Sequence, residues 1–440
     1  MAKNREGKNV VKIKVFIIIA IAIVLGISCL FSTKIENFLG LNKDLKSNSA
    51  TAEVVYAQDM IVNYIDVGQG DSTFIELPGG KSMLIDAGVE SAGKTVCNYI
   101  QSRNYSTIDY LILTHSDSDH AGGMKRVFDT FEIKNVYRPF QIAKDKNSTG
   151  DLIDYTYEDL KYYATDKNIV TTATYRNFVK CAYTEFYTEG EESTIPCKVY
   201  VSYDGLKIEE SGYTFEFFMP QKTSNESVSA HALMTEGYPV ETVGTTDARR
   251  KNNASPVMLL EYKQESFVFT GDANKEIEEE FIETLSPEEK PRFEKVSVFQ
   301  AGHHGSDTSN CTALLTMLDP TYVVVSVGAG NNYGHPTATF LKTVDSLTHR
   351  VNDYLLRTDL NQTIIFGVGN DGLVFTVGIS TGNVVDKQVV HWYYIAIIIF
   401  VVATIIVISI RVKSNGDVSK TSVKKGTKTA KKVVKRYFGD

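Results

Sequence analysis

Short apolar runs alternate with Gly- and Asp-rich turns through most of the middle of the chain. Met60–Val67 (MIVNYIDV) and Ser72–Leu77 (STFIEL) read as strands around the turn Gly68-Gln69-Gly70-Asp71. Ser82–Ile85 reads as another strand, ending at Asp86-Ala87-Gly88. A helix near Lys94–Arg103, a buried strand Asp109–Thr114 and a helix over Ala121–Asp129 follow. The rhythm breaks over residues 141–213, a polar stretch with ten Tyr that includes Cys181 and Cys197. It reads as an insertion, either a specificity element or lid or a plain surface excursion. Strands resume at Thr214–Pro220, Pro256–Tyr262, Ser266–Thr270, Lys295–Gln300 and Tyr322–Val327, with a helix over Lys275–Thr284. Strands and helices in alternation predict an α/β fold.

Two apolar runs are longer than any of these. Val15–Thr33 holds 19 residues without a charge and Val389–Ile410 holds 22. At about 1.5 Å per residue each can cross roughly 30 Å of hydrocarbon. Trp392, Tyr393 and Tyr394 sit at the edge of the second run, where amphipathic rings favour the interface. The first run follows a basic segment and reads as an uncleaved anchor rather than a signal peptide, since no good cleavage site follows it. The chain then divides into a basic segment (1–14), a first span (15–33), a polar stalk (34–59), a large domain (60–388), a second span (389–410) and a polybasic tail (411–440).

Charge sets the orientation. The overall formal charge is −7, but residues 1–14 carry +4 and residues 411–440 carry +8, which leaves −19 for the rest. Lys/Arg-rich flanks favour the cytoplasm, so both termini are expected there and the large domain outside the cell membrane. The tail Lys420–Arg436 is expected to lie against anionic lipid headgroups rather than to bind nucleic acid. A composition of 43% apolar and 22% charged residues excludes collagen-like and disordered classes. Five Cys are too few for a disulfide scaffold, although outside the cell a Cys181–Cys197 bridge is an expectation.

Five of the eight His fall in three clusters at predicted strand ends, where an open α/β fold exposes functional groups. Thr114-His115-Ser116-Asp117-Ser118-Asp119-His120-Ala121-Gly122-Gly123 places four potential ligands within six residues. Imidazole and carboxylate suit zinc or manganese, and four such groups after an apolar strand are costly to bury without a cation. Asp272 closes the strand in Phe269-Thr270-Gly271-Asp272, a position that by itself reads as a helix cap. His303-His304-Gly305-Ser306 and Tyr333-Gly334-His335-Pro336 complete the set. Adjacent His residues point different ways, so one of His303 and His304 at most is expected to be a direct ligand. One or two cations held here could activate water and compensate phosphoryl oxygens, which makes a phosphate ester a natural substrate.

These residues resemble the metallo-β-lactamase superfamily, and within it the hydrolase domain of ComEC-type competence proteins. The likeness rests on Asp66-Val67-Gly68-Gln69-Gly70-Asp71-Ser72, Leu84-Ile85-Asp86-Ala87-Gly88, Thr114 to Gly123, Asn252-Asn253-Ala254-Ser255-Pro256-Val257, Thr270-Gly271-Asp272, Gly302 to Ser306 and Asn332 to Pro336. It implies an αββα sandwich with a metal site at the strand ends, flanked here by the two spans. It implies one metal on His115 and Asp117, a second on Asp119 and His120, and Asp272 as a bridge. His303 or His335 would complete the second site, with His304 toward substrate. Asp119 would also orient the reacting water, and Asp86 and Asn253 would stand behind the ligands. Asp117 replaces the usual second His, and no His precedes Gly271-Asp272; the nearest, His231, reads as a surface residue. The implied activity is a phosphodiesterase or nuclease; a cell-wall or small-ester hydrolase and a non-catalytic tethered module are the alternatives. A transport channel would need many more spans than two. The charge of −19 disfavours avid nucleic-acid binding, with Arg249-Arg250-Lys251 as a candidate basic groove.

Overall fold

Apolar residues occupy both faces of the strands that open the domain, so each strand must be covered on two sides. The structure, a computed structural model, describes residues 51–139, 141–143, 169–189, 192–210, 212–220, 247–348 and 354–379. In chain order the strands are β1 (Met60–Tyr64), β2 (Thr73–Glu76), β3 (Ser82–Ile85), β4 (Thr107–Ile112), β5 (Glu132–Arg138), β6 (Ile142–Ala143), β7 (Ile169–Val170), β8 (Phe186–Glu189), β9 (Glu192–Pro196), β10 (Lys198–Val201), β11 (Lys207–Glu210), β12 (Tyr213–Phe217), β13 (Met258–Tyr262), β14 (Glu265–Phe269), β15 (Val298–Gln300), β16 (Tyr322–Val325), β17 (Leu355–Arg357), β18 (Thr363–Gly369) and β19 (Gly372–Ile379). One sheet runs β10-β5-β4-β3-β2-β1-β18-β19, the other β11-β12-β13-β14-β15-β16-β17. β3, β4, β5 and β10 are mutually parallel, as are β14 through β17.

Alternation along each strand sends its side chains into two layers. Met83 pairs with Tyr110 and Ile85 with Ile112, and all four enter the core between the sheets. Leu84 and Leu111, paired in between, face the other way. The second sheet contributes Phe215, Phe217, Phe267, Phe269 and Val298 to the same inner core. Phe267 is fully buried, so Phe267→Ala is expected to cost roughly 3–5 kcal/mol.

Helices close both outer faces. α1 (Gly93–Ser102), α2 (Ser118–Ala121), α3 (Met124–Phe128) and α4 (Ala173–Thr184) cover the first sheet through Val96, Ile100, Ala121, Met124, Val127 and Phe178. α5 (Asp247–Asn252) leads into β13. α6 (Lys275–Thr284), α7 (Thr312–Leu318) and α8 (Ala338–Thr348) cover the second sheet through Phe281, Leu314, Leu318 and Val344. The layering is the expected αββα.

The structure differs from the sequence reading in several places. Part of the Tyr-rich stretch 141–213 belongs to the sandwich: β10 extends the first sheet, and β11 with the start of β12 extends the second. Edge strands face solvent, so their polar composition hides them among loop residues. β18 and β19, which close the first sheet beside β1, had no predicted counterpart. Cys181 and Cys197 are free thiols, so the expected bridge is not formed. Cys197 Sγ is turned to the Lys198 carbonyl at 3.7 Å, and burial, with Glu185 beside it, pushes its thiol up to about 12. The two expected spans (15–33 and 389–410), residues 34–50 of the stalk, the tail and His231 lie outside the described residues. Among the described residues, no helix is long and apolar enough to cross a membrane.

Candidate metal centre

The carboxyl ends of parallel strands from both sheets meet at one edge of the sandwich, the place where this kind of sheet exposes ligand-binding groups. β3 delivers Asp86, β4 delivers Thr114 and His115, β14 delivers Asp272, and β15 delivers His303 and His304. Thr73 on β2 donates to Gln300 at the end of β15, 3.2 Å away, tying the two sheets at that edge.

Asp86 is buried and has φ 57, a left-handed conformation that Asp tolerates better than most residues. Its Oδ1 accepts the Thr114 N–H at 2.9 Å. Its Oδ2 accepts the Thr114 hydroxyl at 2.7 Å and lies 2.7 Å from His120 Nδ1. A carboxylate there requires a proton on Nδ1, which leaves Nε2 as the nitrogen turned to Asp272 Oδ1 at 3.2 Å and open to a metal once it is deprotonated. His304 is fixed the same way: Nδ1 donates to the Ser326 carbonyl at 2.9 Å, and Nε2 lies 3.3 Å from Asp119 Oδ2. His115 Nδ1 meets the hydroxyls of Thr114 (3.1 Å) and Ser255 (3.3 Å), and its Nε2 stands 3.7 Å from Asp272 Oδ2.

Four atoms in this cluster are buried without a hydrogen-bond partner: His115 Nε2, His120 Nε2, His304 Nε2 and Asp272 Oδ1. Unpaired buried polar atoms are costly, and here imidazole nitrogens and a carboxylate oxygen are aimed at one another. The ligand atoms of His115, His120 and Asp272 lie within 4.8 Å of one another, as do those of Asp119, His120 and His304, and those of Asp71, Asp86 and His120. Three imidazoles and two or more carboxylates suit a divalent ion of the zinc or manganese type.

Electrostatics tell the same story. Burial opposes charge at Asp272, yet His120, His303, His304 and His115 outweigh it and hold the carboxyl well below its usual range. Burial likewise opposes charge at His120 and His304, but Asp272 with Asp86 raises the first well above the usual imidazole range, and Asp272 with Asp71 raises the second. Without an ion the carboxylates recruit protons as their counter-charge. His115 goes the other way: burial and neighbouring His120 lower it, so it stays neutral with a free lone pair.

The remaining expected residues sit around this cluster. His303 Nε2 is 3.5 Å from Asp272 Oδ2, but its side chain is partly exposed, and its Nδ1 is held by Thr308 Oγ1 at 3.0 Å. His303 and His304 both have left-handed backbone (φ 50 and φ 54), which turns the second ring, rather than the first, into the buried group. The resemblance leaves His303 or His335 to complete the second site with His304 toward substrate; of the three, His304 is the one whose ring nitrogen joins a converging group of ligand atoms. His335 lies farther out, its ring centroid 5.3 Å from that of His303 and 6.3 Å from that of His304, stacked on Tyr333. Burial, with His303 and His304 nearby, lowers it to about 4. Asp117 belongs to none of the converging groups; its Oδ1 receives Lys251 Nζ at 3.0 Å and its Oδ2 is 4.0 Å from His115 Nε2. Asn253 Oδ1 accepts the backbone N–H of Asn274 (3.2 Å) and its side-chain amide (2.7 Å), and so shapes the loop after Asp272.

Several supporting residues were given no role from the sequence, although Gly70, Asp71 and Ser255 lie within the motifs quoted above. Ser255 Oγ accepts the Asp272 N–H at 3.1 Å. Asn310 accepts the Gly302 N–H and donates to the carbonyls of Gly302 and Ser306, bracing the His303-His304 turn. Gly70 packs against Asp119, where a Cβ would come within 2.3 Å of the Asp119 carbonyl oxygen. Asp71 Oδ1 lies 3.3 Å from His304 Nδ1. The candidate basic groove is largely neutralised: Arg249 pairs with Glu276 and Lys251 with Asp117.

Residues 65–172 match the family model of the metallo-beta-lactamase superfamily. The chain is 24% identical over 333 residues to ComE operon protein 3 of Bacillus subtilis (strain 168), which covers 72% of this chain and 34% of that protein. It is 25% identical over 280 residues to Recombination protein 2 of Haemophilus influenzae, covering 62% and 25% respectively. It is 24% identical over 325 residues to Competence protein ComA of Neisseria gonorrhoeae, covering 73% and 34%. The chain thus spans about a third or less of the length of these curated relatives. With the layered fold and the ordered His and Asp clusters at its strand ends, this match identifies a metallo-β-lactamase superfamily domain in the chain, related to ComEC-type competence proteins.

Proposed function

We propose that the chain is a membrane-anchored, outward-facing, metal-dependent hydrolase that cleaves phosphodiesters. The observation that carries this reading is the convergence of His115 Nε2, His120 Nε2, His304 Nε2 and Asp272 Oδ1, all buried and without hydrogen-bond partners. A zinc or manganese ion held by these residues and Asp119 would supply a Lewis acid and lower the pKa of a nearby water. The chain itself sets the imidazole tautomers through Asp86 and Ser326 and keeps His115 neutral through burial. Asp119 is partly exposed and faces a pocket of about 310 Å³ with Ser116, Asp117, Thr172, Lys251 and Tyr333. Burial raises the Asp119 carboxyl, but the adjacent His304 imidazole and the charge of His120 outweigh it and hold Asp119 well below the usual range. Asp119 is therefore ionised and placed to accept a hydrogen bond from, and so orient, a water in the pocket.

The ion pairs of Arg249 and Lys251 favour a small or single phosphodiester over a long polynucleotide held by backbone charge. Anchoring and orientation rest on the two apolar runs and their basic flanks. The test is elemental analysis of the purified full-length chain, paired with hydrolysis of bis-p-nitrophenyl phosphate, single-stranded DNA and a cephalosporin in zinc, manganese and magnesium. One or two bound ions per chain and chelator-sensitive phosphodiester cleavage are expected. A metal-free protein that stays inert after metal is added overturns the reading, and turnover of the cephalosporin alone replaces it with amide hydrolysis.

A further inference from the structure

Asp117 stands where the sequence likeness asks for a metal ligand, yet it already has a cation. Lys251 Nζ lies 3.0 Å from Asp117 Oδ1, while Asp117 Oδ2 is 4.0 Å from His115 Nε2. The pair is about 28–29% exposed, open enough to meet solute and covered enough to be only partly screened. Lys251 is held in place by the framework of the site. It belongs to α5, whose Arg249 pairs with Glu276 and whose Lys251 carbonyl accepts Gln141 Nε2 at 3.4 Å. The next residue, Asn252, has its amide 3.4 Å from His303 Nδ1, and Ser255 lies beneath both His115 and Asp272. Among the described residues, every group of ligand atoms that converges closely enough to hold an ion omits Asp117. Lys251 also lines the pocket beside Asp119, where an anionic group would enter.

We infer that Lys251 is a built-in cation that takes the place of a first metal on Asp117, leaving this chain with one tight divalent site centred on Asp272 and His120. A fixed ammonium on Asp117 occupies one of its oxygens and repels a second dication from that corner. The same ammonium then meets a negatively charged substrate oxygen entering the pocket, as a strongly hydrated point charge does at many phosphate sites. The inference rests on the reading that the cluster binds a divalent ion.

The test is calorimetric titration of metal-depleted full-length chain with manganese or zinc, for the wild type, K251M and K251R, with circular dichroism to verify folding. The wild type is expected to bind one ion, with any second at least tenfold weaker. K251M keeps the apolar stem without the charge and is expected to take up a second ion at least tenfold more tightly than the wild type. K251R keeps the charge and is expected to behave as the wild type. Two ions of similar affinity in the wild type, or no gain in K251M, overturns the inference while metal binding itself stands. If no variant binds an ion, the hydrolase reading falls instead.

Discussion

Asp86 Oδ2 lies 2.7 Å from His120 Nδ1, and the other oxygen of the same carboxylate accepts the N–H of Thr114, the residue before His115. One side chain thus orients two candidate ligands at once. Asp86→Asn isolates this role, because Asn tolerates the left-handed backbone as Asp does. An amide placed toward Nδ1 would donate there and move the ring proton to Nε2, closing the lone pair. Zinc affinity by competition with a chromogenic chelator is expected to fall about 10–100-fold, with the circular dichroism spectrum retained. Unchanged affinity would remove Asp86 from the support of the site.

Asp272 is the carboxylate that most imidazoles share, with His115, His120 and His303 at 3.7, 3.2 and 3.5 Å. Asp272→Asn removes the charge and keeps the shape. Its effect on metal affinity should exceed the roughly 100-fold upper end expected for a residue behind the ligands. Equal losses in the Asp272 and Asp86 variants would contradict the assignment of Asp272 as the shared ligand.

Much of this site was legible because its residues cluster in sequence. Four ligand-type residues within six positions after an apolar strand announce themselves, and the strand before them predicts where they emerge. What was hidden depends on contacts between distant segments. Lys251 meets Asp117 across 134 positions, and Ser255 meets His115 across 140. The choice between His303 and His304 was not readable either, since it turns on two consecutive left-handed residues. In the fold, strands buried on both faces were clear as apolar runs, whereas β10 and β11 at the sheet edges carry Lys and Glu and read as loop.

Asn310 tests whether the histidine turn is held from outside the ligand set. It makes three side-chain hydrogen bonds to Gly302 and Ser306, and its own N–H donates to Glu278 Oε1 at 2.7 Å. Asn310→Ala leaves the buried Gly302 N–H without that acceptor, for a cost of about 1–3 kcal/mol, and adds strain at φ 62. A lower Tm together with weaker zinc binding is expected in the same variant. A lower Tm with unaltered zinc binding would make Asn310 a purely structural residue.

The proposed orientation in a membrane rests on the charge of the two flanks and is checked on whole cells. Protease added outside is expected to degrade the large domain and spare an epitope placed in the Lys-rich tail. Protection of the domain and loss of the tail epitope would invert the topology.

Protons and a dication compete for the same nitrogens, and this fixes the sign of the pH dependence. His120 and His304 have folded values raised above the unfolded value of about 6.5, so their contribution to stability is fully present below that pH and is lost as pH rises through the folded values. Asp272 and Asp119 are depressed, so their contribution is present above the unfolded carboxyl value of about 4 and is lost as pH falls toward the folded ones. Metal-free protein should therefore be most stable between these limits, and its Tm should decline as pH is raised from about 6.5 to 9. Zinc reverses the trend, because each imidazole must give up its Nε2 proton before it can bind, and that release becomes easier as pH rises. The zinc-induced increase in Tm, measured against a chelator-treated control at each pH, is expected to grow steadily over the same interval. A zinc effect that is flat or shrinks with pH would mean that the buried imidazoles are not what the ion binds.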